Sequence, residues 1–277
     1  MDAFLPSSLR VPMALVLLVA GPGASAEPAT SPGAATRAAD ATAAGAAAPA
    51  GFAPGEEIDL TLDYLHVRAG QVRLLVGKPE GSVWPVICQA RTDGAATLLD
   101  IREHFVSYWD AEARASRGSD LNAIEIGDRH TDRTRFDRVQ GKARVEVIRK
   151  EKVRESTHDV PRDVQDLASA LLFLRLQPLA PGMRFEYPVF HGTSSFALLA
   201  EVQGTERVNT PAGQFDALRI KVRLGLGDKF KTKRDSYVWL SNDERHIPVR
   251  MSAEFAVGSM TATLSSYRPG GQFAAAR

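Results

Sequence analysis

Residues 160–182 read VPRDVQDLASALLFLRLQPLAPG, and this stretch organises the rest of the chain. Apolar residues recur in it at helical spacing, which predicts an α-helix over about 163–177. Asp163 is a candidate N-cap, and Asp166 adds negative charge to the first turn, where the helix dipole favours it. Gln177 precedes Pro178, so we expect the helix to end there.

The predicted helix is apolar on more than one side. One stripe consists of Val164, Leu167, Ala168, Leu171 and Leu174. Leu172, Phe173 and Leu176 lie off that stripe, and a helix of this kind is covered on most sides. Arg175 projects near the middle of the apolar stripe. It either satisfies the last carbonyls of the helix and pairs with a carboxylate, or it points a positive charge into an internal cavity.

The segments on both sides of this helix have the pattern of β-strands. Residues 57–65 alternate apolar and polar side chains, which is typical of a half-buried strand. Six strand-like segments follow the helix, between residues 183 and 267, with turn residues between them. Since no further helices alternate with these strands, the sequence predicts antiparallel pairing in a mainly β fold.

The N-terminal residues predict export. Arg10 precedes an apolar run that is too short to span a bilayer, and Ala24-Ser25-Ala26 has the form of a signal peptidase site. We predict a signal peptide at 1–26, a disordered Ala/Gly/Pro linker at 27–52, one β-rich domain at 53–268 and a frayed tail at 269–277. The expected location is periplasmic or secreted, with no transmembrane segment in the mature chain. An uncleaved anchor or a disordered tail is the alternative for 1–26.

Net charge, cysteine content and one basic run indicate which kinds of binding partner and anchor this chain can have. The net charge is +1, so bulk charge does not indicate nucleic acid or an anionic membrane as a partner. Cys88 is the only cysteine, which excludes an intrachain disulfide and a lipoprotein anchor, and its apolar neighbours predict a buried thiol. One basic run surrounds Phe230. The run consists of Lys229, Lys231, Lys233 and Arg234. It predicts either a charged hairpin that protects a sheet edge or a surface site for an anionic envelope polymer.

The sequence carries no recognisable catalytic motif. It has no glycine-rich phosphate loop and no Gly-x-Ser-x-Gly elbow, and its six histidines lack metal-ligand spacing. His191 lies near Ser194 and Ser195, but in a glycine-containing turn where hydroxyls commonly bond to backbone. We expect no catalytic residue, no metal site and no cofactor.

The pattern Asp-x-x-Ser-Ala-Leu-x-x-x-Arg at Asp166–Arg175 resembles the central signature of a bacterial family of exported proteins, a domain of unknown function. Residues 208–218, 238–243, 247–249 and 257–259 are similar to its later blocks, while the first half of the chain departs more. The resemblance implies a strongly curved antiparallel sheet, an open half-barrel similar to periplasmic lipoprotein carriers. The helix would pack against its concave side. No catalytic residues are assigned in that family, so none are transferred.

Three hypotheses of function follow. In the first, ten or so strands wrap the helix, and a lipid or other apolar group lies between the sheet and the helix. Leu172, Phe173 and Leu176 contact this ligand, and Arg175 binds its anionic headgroup. In the second, the interior is solid and an envelope protein or polymer docks on a strand edge or near Lys231. In the third, the protein hydrolyses an envelope polymer, although no motif supports this.

Overall fold

The strands of the computed structural model form one continuous antiparallel sheet. The structure describes residues 51–225, 236–254 and 258–271, and within them there are fourteen strands, one α-helix and one 3-10 helix (Gly94–Leu99). The helix is α1 (Leu167–Arg175), and the strands are β1 (Glu57–Tyr64), β2 (Val67–Val76), β3 (Val83–Thr92), β4 (Arg102–Asp110), β5 (Ala115–Glu125), β6 (Asp128–Asp137), β7 (Lys142–Arg149), β8 (Lys152–Asp159), β9 (Arg184–His191), β10 (Ser194–Thr210), β11 (Gly213–Gly225), β12 (Ser236–Ser241), β13 (Pro248–Glu254) and β14 (Ser259–Arg268).

The strand order places the helix in the chain connection between the two edge strands of the sheet. The order is β8-β7-β6-β5-β4-β3-β2-β1-β14-β13-β12-β11-β10-β9. The first and last strands of the chain, β1 and β14, therefore pair with each other, from Glu57 opposite Arg268 to Tyr64 opposite Met260. The edge strands β8 and β9 follow one another in the chain, and α1 lies in their connection. The sheet is curved and does not close, which confirms the predicted open half-barrel with one central helix.

Strand periodicity decides which face is buried. On β1, the alternating residues Ile58, Leu60 and Leu62 are almost fully buried and belong to the main core, while their neighbours are half-buried. Successive side chains point to opposite faces of a strand, so an apolar set of this kind lines the concave side. The helix packs on that side against β3, β4, β5 and β9. Cys88 lies in the same core, as predicted, and burial raises the pKa of its thiol.

The helix is shorter than the predicted span of about 163–177. It begins at Leu167, and the N-cap is Asp166 rather than Asp163. Asp163 is exposed, whereas Asp166 is buried and binds two backbone N–H groups. Both residues suit a cap by type, and the choice between them depends on strands that the local sequence does not contain.

Two local elements differ from the sequence prediction. Val67-Arg68-Ala69-Gly70 predicts a turn after the first strand, but the turn lies two residues earlier: Leu65 and His66 take positive φ values of 51° and 64° and connect β1 directly to β2. Turns of that kind usually contain Gly or Asn, and neither residue occurs at these two positions. The second difference is β8, which was not predicted because nearly all its residues are exposed and it has no apolar face.

Several predictions concern residues outside the described part of the chain. The signal peptide at 1–26, nearly all of the linker at 27–52 and the basic run of Lys229, Lys231, Lys233 and Arg234 lie there. Among the residues that the structure does describe, no helix has both the length and the apolar character needed to cross a bilayer.

Candidate functional site

The N-terminus of α1 is anchored to the sheet through one carboxylate. Asp166 accepts hydrogen bonds at Oδ1 from the backbone N–H groups of Ala168 and Ser169, both at 2.9 Å. Its Oδ2 accepts from the hydroxyls of Ser107 on β4 and Ser116 on β5, both at 2.6 Å. Burial raises the pKa of Asp166, and these four donors limit the rise. The carboxylate thus caps the helix and ties its start to two strands.

The C-terminus of α1 is anchored through a buried ion pair. The guanidinium of Arg175 binds both carboxylate oxygens of Glu56, with Nη1–Oε2 and Nη2–Oε1 distances of 2.8 Å. The two side chains are only 1% and 2% exposed. Arg175 Nη2 also donates to the carbonyls of Gly51 at 2.5 Å and Arg245 at 3.0 Å. A buried arginine requires such a set of acceptors, because an isolated buried charge is very unfavourable.

Residues from distant parts of the chain complete this network. A ring nitrogen of His246, Nδ1, lies 2.7 Å from the carbonyl oxygen of Arg175. The hydroxyl of Tyr267 on β14 donates to Glu56 Oε1 at 3.2 Å, and burial together with the Glu56 charge raises the pKa of Tyr267 to about 12. The sequence did not identify Glu56 as the partner of Arg175, because the two lie 119 positions apart.

The second apolar face of α1 packs on an aromatic cluster. Leu172 is buried with Phe52 and Trp109, and the partly buried Phe173 and Leu176 pack against the same cluster. The ring of Phe52 lies 6.0 Å from that of Trp109, in an edge-to-face arrangement. The helix is therefore covered on this side as well as on the side that faces the main core.

A small cavity lies between α1 and the strands. It has a volume of about 10 Å³, roughly that needed by one water molecule. Its lining is mostly apolar and includes Leu172, Arg175 and Glu56. Phe173 and Leu176 are not part of the lining. Of the four residues predicted to bind a ligand, the structure brings two to this cavity and places the other two against the aromatic cluster.

A polar patch occupies another part of the concave face. His130 on β6 lies directly opposite Ala123 of β5 and Arg149 of β7, and Asp132 lies two residues further along the same face. His130 is 3% exposed. Among the described residues, His130 Nδ1, Asp132 Oδ1 and Arg149 Nε are buried atoms without a hydrogen-bond partner. Burial raises the pKa of Asp132, although His130 and Arg149 act against the rise. The Arg- and Asp-rich sequence of residues 129–138 predicts a solvated strand face; Arg129 and Arg133 are exposed in agreement with this, whereas the burial of His130 was not predicted.

The end of β9 holds a histidine with a shifted pKa. His191 pairs with Ser194 across the turn to β10. Burial lowers the pKa of His191 to about 4, so its ring is neutral at neutral pH. Within the described residues, no group of three or more His, Cys, Asp or Glu side chains is arranged to hold a metal ion.

The edge strand β8 differs from every other strand in its exposure. It pairs along its whole length with β7, from Arg149 opposite Lys152 to Lys142 opposite Asp159. Within the described ranges, no strand pairs with its other edge. Seven of the eight residues of β8 are exposed, and the eighth, His158, is half-buried. The ring of His158 lies 5.6 Å from that of Phe190 on β9.

Comparison with known proteins gives a family and a fold. Residues 59–265 match DUF3108, a protein family of unknown function, and the chain belongs to that family. The structure is similar to a β-barrel-like protein of the domain of unknown function DUF1849 from Brucella abortus, with a TM-score of 0.54, 11% identity, and coverage of 79% of this chain and 99% of that one. The hypothetical protein CT021 from Chlamydia trachomatis aligns with a TM-score of 0.33 and 8% identity over 79% and 88% of the two chains. No curated protein matches the sequence.

Proposed function

We propose that this DUF3108 protein is an exported, non-catalytic interaction module of the cell envelope, and that strand β8 binds an extended segment of a partner protein. Export rests on the predicted signal peptide at 1–26. The observation that carries the proposal is the edge of β8, which exposes backbone groups along eight residues. An extended peptide can add to such an edge through main-chain hydrogen bonds, with its side chains supplying specificity.

The packing of α1 favours an interaction module over a protein that binds a ligand in an internal cavity. Pockets for small ligands usually have volumes of about 300–1,000 Å³, whereas the cavity beside the helix has about 10 Å³. Both helix ends are held by buried polar networks, at Asp166 and at Arg175. Opening the gap would break at least one of these networks, so the accessible binding surface is outside the helix.

The charges on β8 favour one kind of partner. Lys152 and Arg154 lie opposite Arg149 and Val147 and so share the concave face, whereas Glu155 lies on the other face. The face of β8 that carries Lys152 and Arg154 contains no carboxylate, so a second copy that continued the sheet in antiparallel fashion would offer these two residues no opposite charge, and a pairing centred on Glu155 would place Glu155 beside Glu155, which is unfavourable. A partner segment with acidic residues at alternate positions would instead pair its charges with Lys152 and Arg154.

Designed peptides test this proposal. The probe is an eight-residue extended peptide with Glu at alternate positions, and the comparison peptide has Lys at those positions. We expect the acidic peptide to slow amide hydrogen exchange in residues 152–159 and to bind at least about tenfold more tightly, since tenfold corresponds to 1.4 kcal/mol. The double variant Lys152→Glu/Arg154→Glu should reverse the preference, and Lys78→Glu, in the exposed loop between β2 and β3, should leave it unchanged.

Three results would overturn the proposal. One is unchanged exchange in β8 with both peptides. Another is equal binding of the two peptides, which would remove the charge argument. The third is protection of β8 that appears without peptide as protein concentration rises, because the occupant would then be a second copy.

A second candidate is the binding of a lipid or other apolar group between sheet and helix. The observation in its favour is the mostly apolar cavity lined by Leu172, with Arg175 at its side. An acyl chain would require α1 to move, and an anionic headgroup would have to replace Glu56 as the partner of Arg175. Phe173 and Leu176 would then leave the aromatic cluster to contact the ligand.

Mass spectrometry of protein purified from its own envelope tests this candidate. A lipid retained at about one molecule per chain, together with thermal stabilisation by the same lipid, would support it. Leu172→Phe should then reduce lipid retention, because the larger side chain fills the cavity. Absence of lipid and of any stabilisation by added lipids would refute it.

A further inference from the structure

The polar patch on the concave face, formed by His130, Asp132 and Arg149, is a feature that neither the helix nor the edge strand explains. A folded protein normally pairs its buried polar atoms, and each exception requires an explanation. Here three such atoms occur on neighbouring strands of one face. None of them contributes to the networks that hold α1.

The position of the patch makes it a site rather than a scattered set of side chains. Residues directly opposite one another on antiparallel strands have Cβ atoms about 5 Å apart, and diagonal neighbours are about 7–8 Å apart. His130 and Arg149 are directly opposite, and Asp132 and Arg149 are diagonal. One compact chemical group between them can therefore reach all three side chains.

The patch borders solvent on the side of Arg149. His130 is buried at its floor, with 3% exposure, whereas the side chain of Arg149 is 27% exposed. Arg149 also lies 3.7 Å from Asp128, which is on the same face two residues before His130. The three unpaired atoms themselves have no contact with solvent, so the Arg149 side chain must turn outward before a ligand reaches them.

The unpaired atoms specify the chemistry of the ligand. Arg149 Nε carries a hydrogen and requires an acceptor, whereas a carboxylate oxygen such as Asp132 Oδ1 requires a donor. The ring nitrogen of His130 can do either, depending on its tautomer. Asp132 and Asp128 would repel an anion, and Arg149 would repel a cation. A neutral group that both donates and accepts suits the patch, and adjacent sugar hydroxyls have that property.

We propose that His130, Asp132 and Arg149 form a binding site for a carbohydrate group with adjacent hydroxyls. One hydroxyl donates to Asp132 Oδ1 and a neighbouring hydroxyl oxygen accepts from Arg149 Nε. His130 Nδ1 completes the contact from the floor of the patch. This site goes beyond the proposed role of β8, since either can exist without the other.

Saturation-transfer NMR with the full mature chain tests the site. The probes are glucose and N-acetylglucosamine as free sugars, and vesicles containing glucosyl diacylglycerol as the lipid-linked source. We expect signal transfer from the protein to the sugar ring protons and millimolar affinity for the free sugars. Tenfold tighter binding to the vesicles than to plain phosphatidylcholine vesicles would identify a glycolipid headgroup as the source, and equal binding to both vesicles would identify a soluble saccharide.

Variants separate recognition from folding. Asp132→Leu and Arg149→Met each remove one bonding group, and each should weaken sugar binding at least tenfold. Arg129→Met is the matched control, because Arg129 lies on the same strand but is exposed on the opposite face. Urea unfolding of each variant verifies the fold. If Asp132→Leu unfolds, the conservative pair His130→Phe and Arg149→Lys provides the same comparison.

Specific results would overturn the site. These are no transfer to any sugar at about 50 mM, which is fiftyfold above a dissociation constant of 1 mM, or binding that Asp132→Leu and Arg149→Met leave unchanged. Binding of inorganic phosphate without binding of sugar would also overturn it, since the ligand class would then be anionic.

Discussion

The buried ion pair at the end of α1 allows a direct test of what Arg175 does. Glu56→Gln keeps the shape of the side chain and removes its charge, so that Arg175 retains only neutral acceptors, namely the carbonyls of Gly51 and Arg245 and one amide oxygen. Removing one partner of a buried pair typically costs about 3–5 kcal/mol. Because the two carbonyls remain, we expect a loss in the lower half of that range.

Arg175→Met should cost at least as much. It leaves the Glu56 carboxylate with the hydroxyl of Tyr267, at 3.2 Å, as a side-chain donor, and deprives both carbonyls of their guanidinium contacts. The double variant removes both charges, so its cost should fall short of the sum of the single costs by at least about 2 kcal/mol. Urea unfolding at neutral pH, followed by tryptophan fluorescence, measures all four proteins.

The cycle separates the structural role of Arg175 from a ligand-binding role. If Arg175 serves to hold an anionic headgroup, Glu56→Gln should be almost neutral for stability, and Arg175→Met should reduce lipid retention without unfolding the protein. Single costs below about 1 kcal/mol, or costs that simply add, would refute the interpretation of a buried, mutually dependent pair.

Three other variants test separate parts of the structure. Asp166→Ala removes the cap and two buried hydroxyl contacts and should cost about 2–4 kcal/mol in urea unfolding, whereas Asp163→Ala, at the exposed alternative, should change stability by less than about 0.5 kcal/mol. Gly118→Ala should destabilise the protein by at least about 3 kcal/mol, because φ is 141° and the added carbon would meet strand backbone. Gly204→Ala, which has open space around it, should be neutral or stabilising, and urea unfolding measures both variants. His191 has a pKa of about 4 in the folded state against about 6.5 unfolded, so stability should fall as pH decreases from 6.5 to 4; His191→Gln should flatten that dependence, and an unchanged profile would contradict the assignment.

The sequence predicted those features that depend on local periodicity. The helix, the antiparallel strands and the burial of Cys88 all follow from the spacing of apolar residues, and the structure confirms them. The edge strand β8 has no such spacing because it has no buried face, so its role in the sheet is visible only from its pairing with β7.

Long-range partners could not be predicted in the same way. The sequence indicated that Arg175 either pairs with a carboxylate or enters a cavity, and the structure shows the pair with Glu56 and a small cavity beside it. Choosing Glu56 from the sequence would have required the register of β1 against the helix. The polar patch was missed for a related reason, since His130 and Asp132 alternate with exposed charges and their burial depends on how the sheet curves.

The network around Arg175 also gives a physical reason for the position of the helix. The pairing of β1 with β14 joins the two ends of the domain, and such distant contacts carry a large loop-closure cost. Arg175 binds Glu56, which immediately precedes β1, and Glu56 in turn accepts from Tyr267 on β14. One helix residue therefore stabilises the seam between the first and last strands. Asp166 and Arg175, the two charged ends of the family-like signature, are thus both explained by folding. Residues that folding does not explain, such as His130 and Asp132, are then the stronger candidates for function.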